Sequence, residues 1–508
     1  MDGFRPQLGR REFLAATALA GAQIVGCSSP TNQTEIAEQS PSGARRSTPV
    51  GFALGSTVLW ATEDELQTTM DQVADAGATW IRFDVSWTFG EPTPGQLDWT
   101  ASDRVVEAAT NRNLQILATV TNSPAWAAQN ALRQTSRPAV PARYAEFAGE
   151  VAGHYAGDVQ HYEIWNEPNG RLFFEPDPDP AIYTAMVREA YAAIKSVDPG
   201  AVVVAGSLGA TNPTPGNIAP VEFLSQMYAA GVAGSFDALS YHPYDFVAPL
   251  AVGALHPNSP TQQMVAMREL MAANGDGGKT IWLTEYGAPS SVVGPDRQAT
   301  LVVDSVRQWP EVSLSGPFFV YALRDSGTDP TDPHTGFGLI ATDSTPKPAF
   351  NALKAAQNAG NPARELFTEF AAVPDESLGL AVTPVFSVSG GHGQQFERGT
   401  RYLTPGGYFN SPPAVAALAR EWQIAPISEF TDGYQDFAVP DGARIFSSQA
   451  TGTHIVLGAI LAAWEPRLGL AVSDEYELHE GTSPRRAVDF EHGWITWAPG
   501  VGAVVEVR

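Results

Sequence analysis

Cysteine is nearly absent from this chain: Cys27 is the only one in 508 residues, so no disulfide can form within it. Positive charge is scarce as well, with 30 Lys and Arg against 55 Asp and Glu, a net charge of -25. An acidic field of that size repels phosphate backbones and anionic surfaces, which argues against nucleic acid as a partner and favours neutral ligands. Long apolar runs are missing too. The N-terminal one, closing on Ile24-Val25-Gly26-Cys27, is shorter than the ~20 residues a membrane-spanning helix needs. No glycine-rich phosphate loop follows the first β-rich run, which weighs against a dinucleotide-binding sheet.

The length predicts two domains and a tail, and a hydrophobic content of 44% suffices for large cores. Arg10-Arg11 ahead of the short apolar run resembles a Tat export signal. The placement of Cys27 resembles a bacterial lipobox, implying cleavage before Cys27, lipidation of its thiol and an extracytoplasmic, membrane-anchored protein. A plain signal peptide with an incidental cysteine is the simpler alternative. Residues 28–47, rich in Ser, Pro and small polar residues, read as a flexible tether, so residues 1–47 are set apart from the folded body.

From residue 48 to 358, β-rich runs alternate with helical stretches. The first run ends at Trp60, and Thr62 with Glu65 then forms a capping box ahead of Leu66, Met70 and Val73 at helical spacing. Further strands are expected at Thr79 to Trp87, Leu114 to Pro124, His161 to Gly170, and 201–207. Three more follow at 236–244, Thr280 to Ser290, and Gly316 to Asp325. Eight such alternations predict a (β/α)8 TIM barrel, whose functional face is built from the C-terminal ends of the strands.

Polar residues gather at those ends. Arg82 and Asp84 lie on the second strand, Asn122 on the third, Asn166 and Glu167 on the fourth, His242 and Tyr244 on the sixth, Glu285 on the seventh and Tyr321 on the eighth. A lone glutamate after Asn-Glu-Pro is more often a solvated turn residue than a catalyst. Glu167 and Glu285 on strands facing each other across the mouth are a different matter, because retaining glycoside hydrolysis needs two carboxyl groups about 5–5.5 Å apart. Arg82 and Tyr244 are expected to hold Glu285 ionised, Glu167 to carry the proton, and Asn166 to meet the sugar 2-hydroxyl. Trp126 and Trp165 are the tryptophans expected to stack on sugar. Neither metal nor organic cofactor is called for.

Asn166-Glu167-Pro168, Thr284-Glu285-Tyr286-Gly287, Arg82 and His242-Pro243-Tyr244 together resemble the clan A retaining glycoside hydrolases, most nearly families 5 and 39. The resemblance covers residues 48–358. It implies Glu167 as acid/base, Glu285 as nucleophile, and Arg82, Asn166, His242 and Tyr244 as their support. Where that group usually carries a tryptophan after the eighth strand, this chain has Tyr321 followed by Ala-Leu-Arg.

Over residues 372–508 short β-rich segments replace the alternation, and they repeat: LGLAVTPVF at 378 returns as LGLAVSDEY at 468, QFERG at 395 as DFEHG at 489. Units this small need neighbours to complete a core. They resemble diverged LGFP repeats, which implies a cell-envelope binding role; a β domain that only packs on the barrel is the alternative. The whole therefore reads as a lipid-anchored hydrolase of an envelope or extracellular polysaccharide, probing its substrate through moderately long loops that favour internal cleavage. Its rivals are a noncatalytic carbohydrate-binding adhesin and a transglycosylase that uses the same residues.

Overall fold

The computed structural model describes residues 48–508 except 134, 330, 362–363 and 479–484. Arg10, Arg11, Cys27 and the tether lie outside the described residues. Eight parallel strands close into a barrel in sequence order. They are β1 (Val50–Gly55), β2 (Trp80–Ser86), β3 (Gln115–Thr121), β4 (His161–Ile164), β5 (Val202–Gly209), β6 (Ala238–His242), β7 (Thr280–Tyr286) and β8 (Ser315–Val320). These strands are buried on both faces, which is why they read as near-continuous apolar runs. Helices cover the outside, among them Glu63–Asp75, whose expected capping box is present: Glu65 Oε2 accepts from Thr62 N at 2.8 Å and Thr62 Oγ1 from Glu65 N at 3.3 Å. The first strand is shorter than expected. It stops at Gly55, at φ +60°, and Thr57–Trp60 forms a 3-10 turn that lifts Trp60 to the rim.

Side chains alternate along each strand, so the barrel interior is laid down in layers. The floor is aromatic. Trp80 meets Trp282 edge to face at 5.6 Å, Phe319 at 6.1 Å and tilted His161 at 4.7 Å. Burial pushes the His161 imidazole down to about 4, so the floor is uncharged at neutral pH. Gly316 makes room for it, since a Cβ there would sit 2.1 Å from Trp282 Cδ1. Two residues beyond Trp80 comes Arg82, and two beyond His161 comes Glu163: one step along the pleat changes the interior from aromatic to ionic.

The C-terminal region forms three antiparallel sheets. The first holds β9 (Phe386–Val388), β10 (Gly391–Phe396), β11 (Gly399–Thr404) and β12 (Gly407–Ser411). The second holds β13 (Tyr434–Phe437), β14 (Ala443–Ser448) and β15 (Gly452–Leu457). The third holds β16 (Tyr476–Leu478), β17 (Arg485–Phe490), β18 (Gly493–Ala498) and β19 (Gly502–Val507). Three bridges, Ala381↔Phe396, Pro426↔Phe437 and Ala471↔Phe490, recur along the chain, their first members evenly spaced. The first and third units match hydrogen bond for hydrogen bond: Leu380 N donates to Glu397 Oε2 at 3.1 Å and Leu470 N to Glu491 Oε2 at 2.8 Å. Repetition seen in the sequence is thus repetition of structure.

The array is fastened to the barrel. Ala251, Ala254 and Leu255, which follow β6, share an apolar cluster with Phe386, Tyr402 and Val415. Beneath it Glu311 is buried and accepts from Arg364 Nε at 2.6 Å and from Val385 N at 2.9 Å. Breaking a buried pair leaves the other charge uncompensated, at ~3–5 kcal/mol. Because Arg364 partly reaches solvent, Glu311→Ala is expected to cost about 2–3 kcal/mol. Chemical denaturation of full-length protein checks this; a loss under about 0.5 kcal/mol would deny the pair its fastening role.

Candidate active site

The βα loops enclose a cleft of about 1260 Å³ above the ionic layer. At its centre Arg82, almost wholly buried, spends each guanidinium nitrogen on a different partner: Nε on Glu163 Oε2 at 2.6 Å, Nη1 on Glu285 Oε1 at 2.5 Å, and Nη2 on Asn166 Oδ1 at 2.7 Å. Burial works against its charge, and the carboxylates of Glu163 and Glu285 more than offset that, so Arg82 stays a cation. The second oxygen of Glu285 accepts from Tyr244 Oη at 2.7 Å. Burial alone would favour the neutral acid at Glu285. The positive charges of His242 and Arg82, with the hydrogen bonds from Tyr244 and Arg82, outweigh it and hold Glu285 below the usual carboxylate range.

Glu167 faces this group from the end of β4. Its Oε1 lies 2.9 Å from His242 Nδ1, and the same nitrogen is 3.7 Å from Glu285 Oε2. One ligand-type atom each from Glu167, His242 and Glu285 lie within 4.8 Å of one another. Such a cluster has the size of a cation site, but its atoms are already engaged: Glu285 by Arg82 and Tyr244, Glu167 by His242. On its far side His242 Nε2 meets Thr284 Oγ1 at 3.0 Å and Ser207 Oγ at 3.3 Å. Asn166 accepts through Oδ1 from Arg82, leaving its amide nitrogen as the donor toward the cleft.

The backbone around Glu167 is strained. Asn122 (φ +68°), Trp165 (+66°), Glu167 (+45°) and Ser207 (+49°) all adopt the left-handed region, at about 1–3 kcal/mol each. Glu167 N donates to Ser207 O at 3.1 Å, and buried Asn169 clamps Gly209 through both its backbone groups at 2.8 and 2.9 Å. Gly209 sits close under that side chain: a Cβ there would lie 3.2 Å from the Glu167 carboxyl and press on it.

Of the residues expected from sequence, Arg82, Asn166, Glu167, His242, Tyr244 and Glu285 form this one network. Asn122 lies half-buried on the cleft wall, and Tyr321 borders the cleft, 6.2 Å from Tyr244 and 5.3 Å from Phe337. Burial, then the charges of Glu285 and Glu167, push the Tyr321 phenol up to about 12, so it stays neutral. The two tryptophans are corrections. Trp165 borders the cleft but is only 1 % exposed, and its Nε1 donates to Phe173 O at 2.8 Å, so its ring is buried in the loop instead of laid open as a platform. Trp126 is outside the cleft lining, packed edge to face on Trp87 at 5.4 Å with Nε1 on Glu91 O at 3.0 Å. The most exposed aromatic among the described cleft residues is instead Trp60, 59 % accessible and braced edge to face by Phe89 at 4.5 Å. Sequence reasoning also passed over Glu163, Ser207, Thr284 and Asn169. For Glu163 there was a signal: a charged residue inside an otherwise apolar parallel strand must have a partner.

The sequence matches the family model for cellulase (glycosyl hydrolase family 5) over residues 44–312. A family 39 glycoside hydrolase from the gut symbiont Bacteroides cellulosilyticus WH2 shares the fold, with a TM-score of 0.52 and 19% identity over 71% of each chain. A family 39 β-xylosidase from Caulobacter crescentus gives a TM-score of 0.47 and 17% identity over 79% of this chain and 78% of that one. A family 5 enzyme from Streptomyces cattleya in complex with GlcNAc gives 0.49 and 17% over 63% and 83%. No curated protein matches the sequence. The family match runs from β1 to β7 and takes in Arg82, both glutamates and His242; the chain belongs to glycosyl hydrolase family 5.

Proposed function

We propose that this protein is a retaining glycoside hydrolase working by double displacement, with Glu285 as nucleophile and Glu167 as acid/base. One observation carries the proposal: the two carboxylates approach within 4.8 Å, nearer the ~5–5.5 Å of retaining enzymes than the ~6.5–9.5 Å that leaves room for an inverting water. Their surroundings differ as the two roles require. Glu285 is held as an anion by Arg82 and Tyr244, ready to attack the anomeric carbon. Glu167 protonates the departing glycosidic oxygen, then takes a proton from the water that attacks the glycosyl-enzyme. Asn166 offers its amide hydrogen to the 2-hydroxyl, a contact that strengthens as the ring becomes oxocarbenium-like.

The cleft favours an oligomeric substrate cleaved internally. Its volume exceeds one sugar ring, and Trp60 offers an exposed face away from the catalytic pair. The three C-terminal units support an LGFP-like array that binds the cell envelope, which makes an envelope or matrix polysaccharide the substrate we favour. Export by Tat and lipid anchoring at Cys27 belong to the same proposal and rest on the N-terminal sequence.

Trapping with an activated 2-fluoro glycoside followed by peptide mass spectrometry is expected to label Glu285; label elsewhere sinks the assignment. Glu167→Ala is expected to lose about 10²–10⁴-fold in rate on substrates with poor leaving groups and to regain part of it with azide. Absence of rescue would remove the acid/base role. Trp60→Ala is expected to raise KM for a polysaccharide by about 10-fold while leaving a small aryl glycoside unaffected. An equal effect on both substrates would contradict a distal sugar platform.

A further inference from the structure

Glu163 is spent on nothing the mechanism above uses. It is fully buried on β4, and its Oε2 accepts from Arg82 Nε at 2.6 Å and Thr119 Oγ1 at 3.0 Å. Its Oε1 has no hydrogen-bond partner among the described residues. A buried carboxylate left half satisfied is costly, so its retention needs a return elsewhere. Strand register supplies the setting: Asp84, Thr119 and Glu163 occupy one row across β2, β3 and β4, directly beside the guanidinium.

Two consequences follow from the geometry. Arg82 presents a planar fork, and Glu163 fixes its Nε corner, so the other two nitrogens are aimed at Glu285 and Asn166 without freedom to swing. Glu163 also draws on the same positive charge as Glu285. An unshared Arg82 would neutralise the Glu285 carboxylate more completely and make it a weaker nucleophile. We infer that Glu163 is a positioning residue which, through Arg82, both orients the Glu285–Asn166 pair and preserves the nucleophilicity of Glu285.

The sign of its electrostatic effect is definite. The charged and titratable groups around Glu285 are Arg82 and Asp84 from β2, Glu167 from the end of β4, His242 and Tyr244 from β6 and beyond, and Tyr321 from beyond β8, with Glu163 of β4 on the far side of the shared Arg82. Glu163 is a negative member of that set, so it disfavours the Glu285 anion, and its removal makes Glu285 ionise at lower pH. Asp84 buffers the row: burial first, then the charges of Glu285 and Glu163 against that of Arg82, push its carboxyl up to about 6.

Glu163 acts this way only if Glu285 is the nucleophile proposed above, so the test carries one readout that needs no substrate. In Glu163→Gln, the acid limb of kcat/KM is expected to move to lower pH, the rate of 2-fluoro glycoside trapping to fall about 10²-fold, and KM to stay within about 2-fold. Tyr244→Phe, which removes a donor to Glu285, is the control and moves the acid limb the opposite way. Carboxyl-13C NMR titration of Glu285, assigned by its loss in Glu285→Gln, is expected to shift acid-ward in Glu163→Gln whether or not any glycoside is turned over. Should Glu163→Gln not fold, Glu163→Asp keeps the charge and misplaces it: trapping falls and the titration holds. An unmoved Glu285 titration and acid limb in Glu163→Gln, or wild-type trapping rates in either variant, overturn the inference. Absence of turnover by the wild type, with the NMR shift present, overturns the hydrolase proposal and the nucleophilicity half of the inference, and upholds the orienting and electrostatic link from Glu163 through Arg82 to Glu285.

Discussion

Arg82 is the hinge of this molecule's chemistry. A buried guanidinium is tolerable only with its charge and its N–H groups answered, and the barrel sets Glu163, Asn166, Glu285 and, at 3.4 Å, Ser207 against it. Glu285 and Asn166 are held in relation to each other by that one cation, and Glu163 holds the cation. Tyr244 and His242 then complete a ring of contacts in which the two active carboxylates meet different neighbours. In the mechanism we propose, difference of environment, more than the presence of two acids, is what would let one attack while the other transfers a proton.

The barrel and most of this ring were legible in the sequence because both rest on local, periodic signals. Buried parallel strands leave apolar runs, and their ends leave polar residues at recurring intervals. Orientation was less legible. Trp126 and Trp165 lie near the right strand ends, but a tryptophan's role depends on whether its ring faces space or backbone, and both rings were claimed by carbonyls of neighbouring loops. Trp60 was hidden for the converse reason: its run looked like strand up to the tryptophan, and only the left-handed Gly55 releases it to the rim. Glu163 escaped because sequence does not say which of two alternating faces of a fully buried strand holds a charge.

Strain and support are distributed in a consistent way. Four left-handed residues cluster at the catalytic rim, each disfavoured in isolation; Trp165 N donates to Val120 O, Glu167 N to Ser207 O and Ser207 N to Ser240 Oγ. The C-terminal array contributes to the same rigidity at a distance. It packs on the segment just after β6, the strand that delivers His242 and leads to Tyr244, so the array braces a wall of the active site as well as forming a domain of its own.

The aromatic floor has a consequence for traffic. Trp80, Trp282, His161 and Phe319 fill the barrel one layer beneath Arg82, so among the described residues the site opens at the C-terminal ends of the strands. A polymer, the substrate we propose, would lie across the entrance instead of threading it. In the proposed mechanism leaving group, incoming water and released sugar share that opening, which makes the order of departure and arrival over Glu167 a matter of queueing as much as of bond chemistry.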